Sequence, residues 1–312
     1  MPNLRLKRKT RLSAFRRMAI GTWKTTYDPS VYGAMTLEVD EALRYIQEFR
    51  EKTGRRLTLS HLVAKVVGVV LKTHPDANAV LRFNRIYLRD EIRVFFQVVL
   101  KDPETGEIDL SGVTVDEPQE KSLIEIIDAF EADVGKVRKG EAESESSRSL
   151  FKKIPSLLLN LFLNTLGFLL VGLNLDLRFA GIPRDPFGSV MVTNIGSLGL
   201  QEAYVPLVPY SRVPLLLALG SVNDAAVVRN GRVVPGKTME LCATFDHRVL
   251  DGAHAAAMAK IVRAWLEDPY GHFESPDEAA KEAEQRRAAS AASSGSGAEA
   301  EAAEADTGAA IA

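Results

Sequence analysis

Among 312 residues there is one cysteine, Cys242, so no internal disulfide can form. A chain without cross-links suits a reducing cytoplasm, and that is the expected location. The neighbours of Cys242 are apolar, and a buried inert thiol is a plainer reading than a nucleophile. An excess of one charge is also lacking: 39 Lys and Arg stand against 41 Asp and Glu. The overall field therefore favours neither nucleic acid nor an anionic membrane, and no nucleic-acid partner is expected. Two local deficits mark the chain further. Residues 154–175 hold no charged side chain, and residues 275–312 hold no aromatic and almost no branched aliphatic.

What is present is enough for a core. The hydrophobic content of 46% can build one sizeable core or two small ones. The amino-terminal run MPNLRLKRKTRLSAFRR carries seven Arg and Lys and no acid. It lacks the apolar stretch of a secretory signal, while its arginine content is compatible with a transit peptide. Residues 40–54 place Ala42, Leu43, Tyr45, Ile46 and Phe49 at helical spacing and close on Gly54. A more apolar helix follows, capped by Thr58 or Ser60 and ended before Pro75. Strands are predicted over 79–101, with turns at Asn84 and Asp90, then a helix from Ser122. From 178 to 272 strands become strong, and Asn230-Gly231 between Val pairs signals a hairpin. A last helix ends before Pro269. The pattern is α/β with strands and helices intermixed and no Rossmann alternation.

The charge-free run 154–175 is long enough to span a bilayer. Asn160, Asn164 and Asn174 oppose that, because amides at the bilayer centre are costly. Asn160, Asn164 and Gly167 share one helical face. Three readings stay open: a helix buried in the protein or its oligomer, a peripheral membrane contact flanked by Arg148, Lys152 and Lys153, or a true span. The stretch after residue 272 cannot bury enough to offset its ordering, and 273–312 is expected to be a disordered Ala/Glu/Ser-rich tail.

The densest chemistry lies in ATFDHRVLDG, residues 243–252, where an apolar strand gives way to Asp246, His247 and Arg248, then Asp251-Gly252. Helix capping explains Asp251 but not a histidine and an arginine at the strand's exit. A metal site would use His247, Asp251 and His254 at i, i+4 and i+7. The strand-to-helix break spoils that register, and zinc asks for three or four supported ligands, so no metal is expected. A general base is the third reading. Neutral imidazole, with an unperturbed pKa of about 6.5, can take a proton from a thiol.

His-x-x-x-Asp-Gly, together with RLSAFRRM (11–18), the helix and turn of 57–81 and GSVMVTNIGSLG (188–199), resembles the catalytic domain of the dihydrolipoamide acyltransferase component of 2-oxo-acid dehydrogenase complexes. The resemblance covers about 10–140 and 185–270. It implies a chloramphenicol acetyltransferase-like α/β fold, a mixed β-sheet with packed helices. It assigns 1–272 to an acyltransferase catalytic domain with an apolar insert at about 140–186. His247 would be the general base, Thr193 the hydroxyl donating to the oxyanion, and Asp251 the residue that orients the site, with Arg11 or Arg17 as its partner. An ordinary strand threonine stays open as the plain reading of Thr193.

The implied reaction moves an acyl group between coenzyme A and an acceptor, most naturally a thiol such as dihydrolipoamide. It takes place between subunits of a homotrimer, which in this family can build cages. The lipoyl domain of such components has no counterpart here, so no covalently bound lipoyl is expected in this chain, and a separate lipoyl carrier protein would supply it. The alternative is an assembly protein that keeps the fold with weak or no catalysis.

Overall fold

The first helix shows how the sequence writes the core. Asp40–Thr53 (α1) buries Ala42, Tyr45, Ile46, Phe49 and Thr53 on one face. Acids open it, Arg50 and Lys52 close it, and Gly54 ends it in the left-handed region, each matching the helix dipole or its terminus. Leu59–Thr73 (α2) is apolar almost all round and correspondingly central, with nine buried residues. Thr58 occupies its N-cap in extended conformation but makes no side-chain cap bond.

In this computed structural model residues 29–83, 85–101, 108–139 and 154–289 are described. The 11–18 motif with Arg11 and Arg17, the Glu/Ser-rich 140–149 stretch and the lysines at 152 and 153 lie outside them.

The main sheet has six strands. In chain order they are β1 (Ser30–Glu38), β4 (Arg93–Lys101), β5 (Ile108–Asp116), β6 (Val190–Asn194), β7 (Leu215–Arg229) and β8 (Arg232–Asp246); across the sheet they run β1-β8-β7-β6-β4-β5. Strands β4, β6 and β7 are parallel neighbours, and every other pairing is antiparallel, so the sheet is mixed as expected. A separate hairpin pairs β2 (Ala79–Arg82) with β3 (Arg85–Leu88). The β7–β8 turn sits at Asn230-Gly231, both with positive φ, the geometry that a two-residue hairpin demands.

Alternation sets the layers. Val190 and Val192, Leu215, Leu217 and Leu219, and Met239 and Leu241 face the helices in one continuous core with α1, α2, α3 (Leu123–Lys139) and α5 (Gly252–Glu267). On the opposite face, Met191, Val213 and Leu216 form a smaller cluster, as do Ile195, Ala218 and Cys242. Cys242 is buried there, and burial pushes its thiol up from the ordinary value, the inert state expected of it.

The apolar run 154–175 does not form one helix. Ser156–Gly167 (α4) stops after 12 residues, a π-helical turn follows at Phe168–Gly172, and Asn174 takes positive φ. Gly167 is required: a Cβ there would stand 2.7 Å from the Tyr210 carbonyl oxygen. No helix among the described residues is long and apolar enough to cross a membrane.

The expected disordered tail needs correcting over its first part. Residues 276–289 form a helix, α6, with Ala279 and Ala283 buried. Small alanines let it approach closely, while Arg287 donates to the Thr53 carbonyl (2.6 Å) and Arg286 pairs with Glu125 (2.8 Å). Composition alone misjudged it because polar ties and close approach stand in for large apolar side chains. Residues 290–312 lie outside the described ones.

Candidate active site

Strand β8 delivers His247. Its last pairs are held to β7, then Asp246 N–H donates to the Pro214 carbonyl (2.8 Å) and His247 N–H to the Pro29 carbonyl (3.0 Å). The chain then folds back on itself. The N–H groups of Val249 and Leu250 both donate to the Asp246 carbonyl at 2.9 Å. The buried Asp246 carboxylate accepts from the Arg248 backbone N–H (2.9 Å), Nε (2.9 Å) and Nη2 (2.7 Å). An ion pair closed within one turn is a rigid frame for the residue between its members.

That residue's imidazole has Nδ1 2.9 Å from the Leu250 carbonyl oxygen. A carbonyl can only accept, so Nδ1 carries the proton and Nε2 keeps its lone pair. The ring is exposed in the single chain, with Nε2 available as an acceptor. The turn thus supplies an imidazole of fixed tautomer and orientation.

Asp251 starts α5. Its Oδ1 accepts from the backbone N–H of Ala253 (2.9 Å) and His254 (3.0 Å) and lies 2.7 Å from His254 Nδ1. These bonds, the His254 backbone N–H first and its ring second, hold the Asp251 carboxyl below the usual carboxylate range. The capping reading therefore describes what Asp251 does within the chain. His254 also faces Asp76, at 3.7 Å, from the turn after α2. Of the three residues weighed for a metal, Asp251 and His254 meet while the His247 ring bonds to the Leu250 carbonyl, and among the described residues no group of three or more His, Cys, Asp or Glu is placed to hold one.

Thr193 sits one residue before the end of β6, paired across the sheet with Gln97 and Ala218 and half-buried. A cavity of about 330 Å³ opens beside it at the carboxyl end of β6 and the middle of β4, with Phe96, Val98, Phe130 and Ile195 among its apolar walls. Ser60, Gln97 and Asn194 add polar groups. The carboxyl ends of parallel strands are where open α/β sheets generally receive ligands. Asn194 fixes the floor: its Oδ1 accepts from Ser197 N–H (3.0 Å), and its Nδ2 reaches Ser60 Oγ (3.4 Å). The sequence reading missed Ser60, Phe130 and Asn194. The Asn194-to-Ser197 turn was visible in GSVMVTNIGSLG, but nothing local ties Ser60 or Phe130 to it.

The register separates Thr193 from His247. Thr193 is level with Ala218, and Ala218 with Cys242, while β8 runs opposite to β6 and carries on past Asp246 before reaching His247. At about 3.4 Å per residue and about 4.8 Å per strand spacing, the two stand roughly 20 Å apart in one chain. Two groups acting on one reacting carbon must lie within about 7 Å, each being near 3 Å from an atom attached to it. Within one chain, then, Thr193 and His247 lie toward opposite ends of the sheet, too far apart to act on one atom.

Fold and site define a mixed-sheet α/β domain that presents a tautomer-fixed histidine at one end and a threonine-lined cavity at the other. The chain belongs to the family of 2-oxoacid dehydrogenases acyltransferase (catalytic domain), which matches residues 7–149 and 187–273. It is 25% identical over 219 residues to the dihydrolipoyllysine-residue acetyltransferase component of the acetoin cleaving system of Bacillus subtilis, covering 70% of this chain and 44% of that protein. The chain thus spans less than half the length of that relative.

Among solved structures, a probable dihydrolipoamide acetyltransferase from Listeria monocytogenes superposes with a TM-score of 0.61 at 18% identity, over 84% of this chain and 95% of that one. The dihydrolipoamide acetyltransferase of Azotobacter vinelandii, studied for the role of a serine, a histidine and an asparagine in its catalytic mechanism, gives 0.57 at 17% identity, over 78% and 84%. The sheet and its packed helices are therefore those of dihydrolipoamide acetyltransferase cores. Residues 150–186, which include α4, fall between the two matched stretches.

Proposed function

We propose that this protein transfers an acyl group between coenzyme A and an acceptor thiol such as dihydrolipoamide, at a site shared by adjoining subunits of a trimer. His247 Nε2 takes the proton of the attacking thiol. The thiolate adds to the thioester carbonyl, and the Thr193 hydroxyl of the next subunit donates to the oxygen that becomes negative. Collapse of the tetrahedral adduct breaks the old carbon–sulfur bond, and the imidazolium returns its proton to the departing thiolate.

The observation that carries this reading is the Nδ1–Leu250 bond, which leaves an acceptor nitrogen on an exposed ring. The distance to Thr193 within one chain supports a site completed by a second copy, and the cavity's apolar walls with a few polar groups suit an acyl thioester. The pair His247 and Asp251 has the same spacing as the histidine and asparagine studied in the Azotobacter enzyme, four positions apart. Asp251 acts here by anchoring α5 and, through the adjoining peptide, the Leu250 carbonyl. A separate lipoyl carrier would deliver the acyl group, and trimers would associate into a cage.

Acetyl-coenzyme A and dihydrolipoamide supplied to the purified protein test the reading. Wild type is expected to form acetyl-dihydrolipoamide, and His247→Ala to lose turnover while sedimenting as the same oligomer. Equal rates in both proteins would remove the catalytic role and leave an assembly protein built on this fold.

A further inference from the structure

The first turn of α5 departs from the usual capping pattern. Helix starts of this kind place Glu or Gln three residues after the N-cap, where it reaches back to the N-cap N–H. Here the N-cap is Asp251 and the residue in that place is His254. Its Nδ1 lies 2.7 Å from Asp251 Oδ1, while the Asp251 N–H stands 3.4 Å from the same nitrogen. One ring nitrogen cannot both donate and accept. A carboxylate only accepts and its contact is much the shorter, so Nδ1 carries a proton and gives it to Asp251. The His254 ring therefore holds the carboxylate and leaves the N-cap N–H aside.

What Asp251 holds in turn adjoins the proposed base. Its Oδ1 also accepts from the N–H groups of Ala253 (2.9 Å) and His254 (3.0 Å), which fixes the side chain on its own backbone. The Asp251 N–H and the Leu250 carbonyl belong to one planar peptide unit. That carbonyl is the group that accepts from His247 Nδ1 at 2.9 Å. The buried Leu250 side chain anchors the unit on one side, and Asp251 anchors it on the other. The second nitrogen of His254, Nε2, faces Asp76 Oδ2 at 3.7 Å, so the ring reaches from α5 to the turn after α2.

We infer that His254 is a positioning residue for His247. By donating to Asp251 it steadies the peptide unit whose carbonyl keeps the His247 proton on Nδ1. The inference rests on the proposed role of His247, and its test has a readout that does not depend on turnover.

Two substitutions separate this role from helix capping. His254→Glu supplies the acid that a capping box favours at a helix start, yet it has no proton to give the carboxylate. His254→Gln supplies both the cap and an amide N–H that can donate. Solid-state nitrogen NMR of the oligomer carrying isotope-labelled histidine reads the His247 ring, its signal assigned by loss in His247→Ala. Wild type and His254→Gln are expected to show His247 protonated at Nδ1, and His254→Glu a mixture of tautomers. In acyl transfer from acetyl-coenzyme A to dihydrolipoamide, His254→Glu is expected to lose about tenfold or more in kcat with KM unchanged. That is a part of the about 10²–10⁴-fold that a positioned base contributes, and His254→Gln should recover most of it. The inference is overturned if wild-type His247 is protonated at Nε2, if His254→Glu keeps the wild-type His247 signal, or if His254→Gln behaves as His254→Glu does. A wild type without acyl transfer would remove the proposed reaction, and the His247 signal would still decide the inference.

Discussion

His247 owes its usefulness to neighbours that are not themselves reactive. Leu250 contributes a carbonyl, and a carbonyl's inability to donate settles which ring nitrogen keeps the lone pair. Arg248 and Asp246 lock the turn around it. In the proposed reaction Thr193 is asked for one hydroxyl. Thr193→Val keeps the shape and the strand preference while removing the donor, and it is expected to lower kcat by about 10²–10³-fold, the usual cost of a lost oxyanion donor. Thr193→Ser restores the hydroxyl and should recover most of the rate. Steady-state kinetics on both variants decides between this role and a plain strand threonine, for which the valine variant would match wild type.

Among the elements, α2 joins the core to the cavity, since Ser60 lines the cavity and the next residue, His61, is buried against Phe130. The buried Nδ1 of His61 has no hydrogen-bond partner, and burial, aided by the charges of Arg50 and Arg56, pulls its pKa down to about 4. The fold therefore favours the neutral ring. Between about pH 6.5 and 4 the unfolded chain binds the extra proton, so stability present above that window is lost as pH falls through it, by up to about 3 kcal/mol. Urea unfolding across this range should show that loss in wild type and not in His61→Leu; parallel curves would contradict it.

The elements were largely legible in the sequence, α1 from its periodicity and Gly54, and the β7–β8 hairpin from Asn230-Gly231. The end of the fold was not legible. Residues 276–289 read as disordered because alanine and arginine carry little apolar signal, yet Ala279 and Ala283 are buried and Arg287 reaches the Thr53 carbonyl. The fate of 154–175 was equally hidden, because the 2.7 Å approach at Gly167 depends on Tyr210, 43 positions away.

Over the whole molecule, the sheet's topology has the largest consequence. Strands β6 and β8 run in opposite directions with β7 between them, so Thr193 and His247 leave at opposite ends. Both residues were legible as motifs, the histidine in DHRVLDG and the threonine in GSVMVTNIGSLG. Their separation was not, because it depends on strand order rather than on any local pattern. On the proposed mechanism such a chain reacts only where two copies bring unlike ends together, and that makes complementation the most direct measurement. Co-expressed His247→Ala and Thr193→Val subunits, each inactive alone, are expected to regain about a quarter of wild-type acyl transfer. That is the share of interfaces in a random equal mixture that pair an intact histidine with an intact threonine. A mixture as inactive as its parents, with mixed oligomers shown to form, would contradict a site shared between subunits.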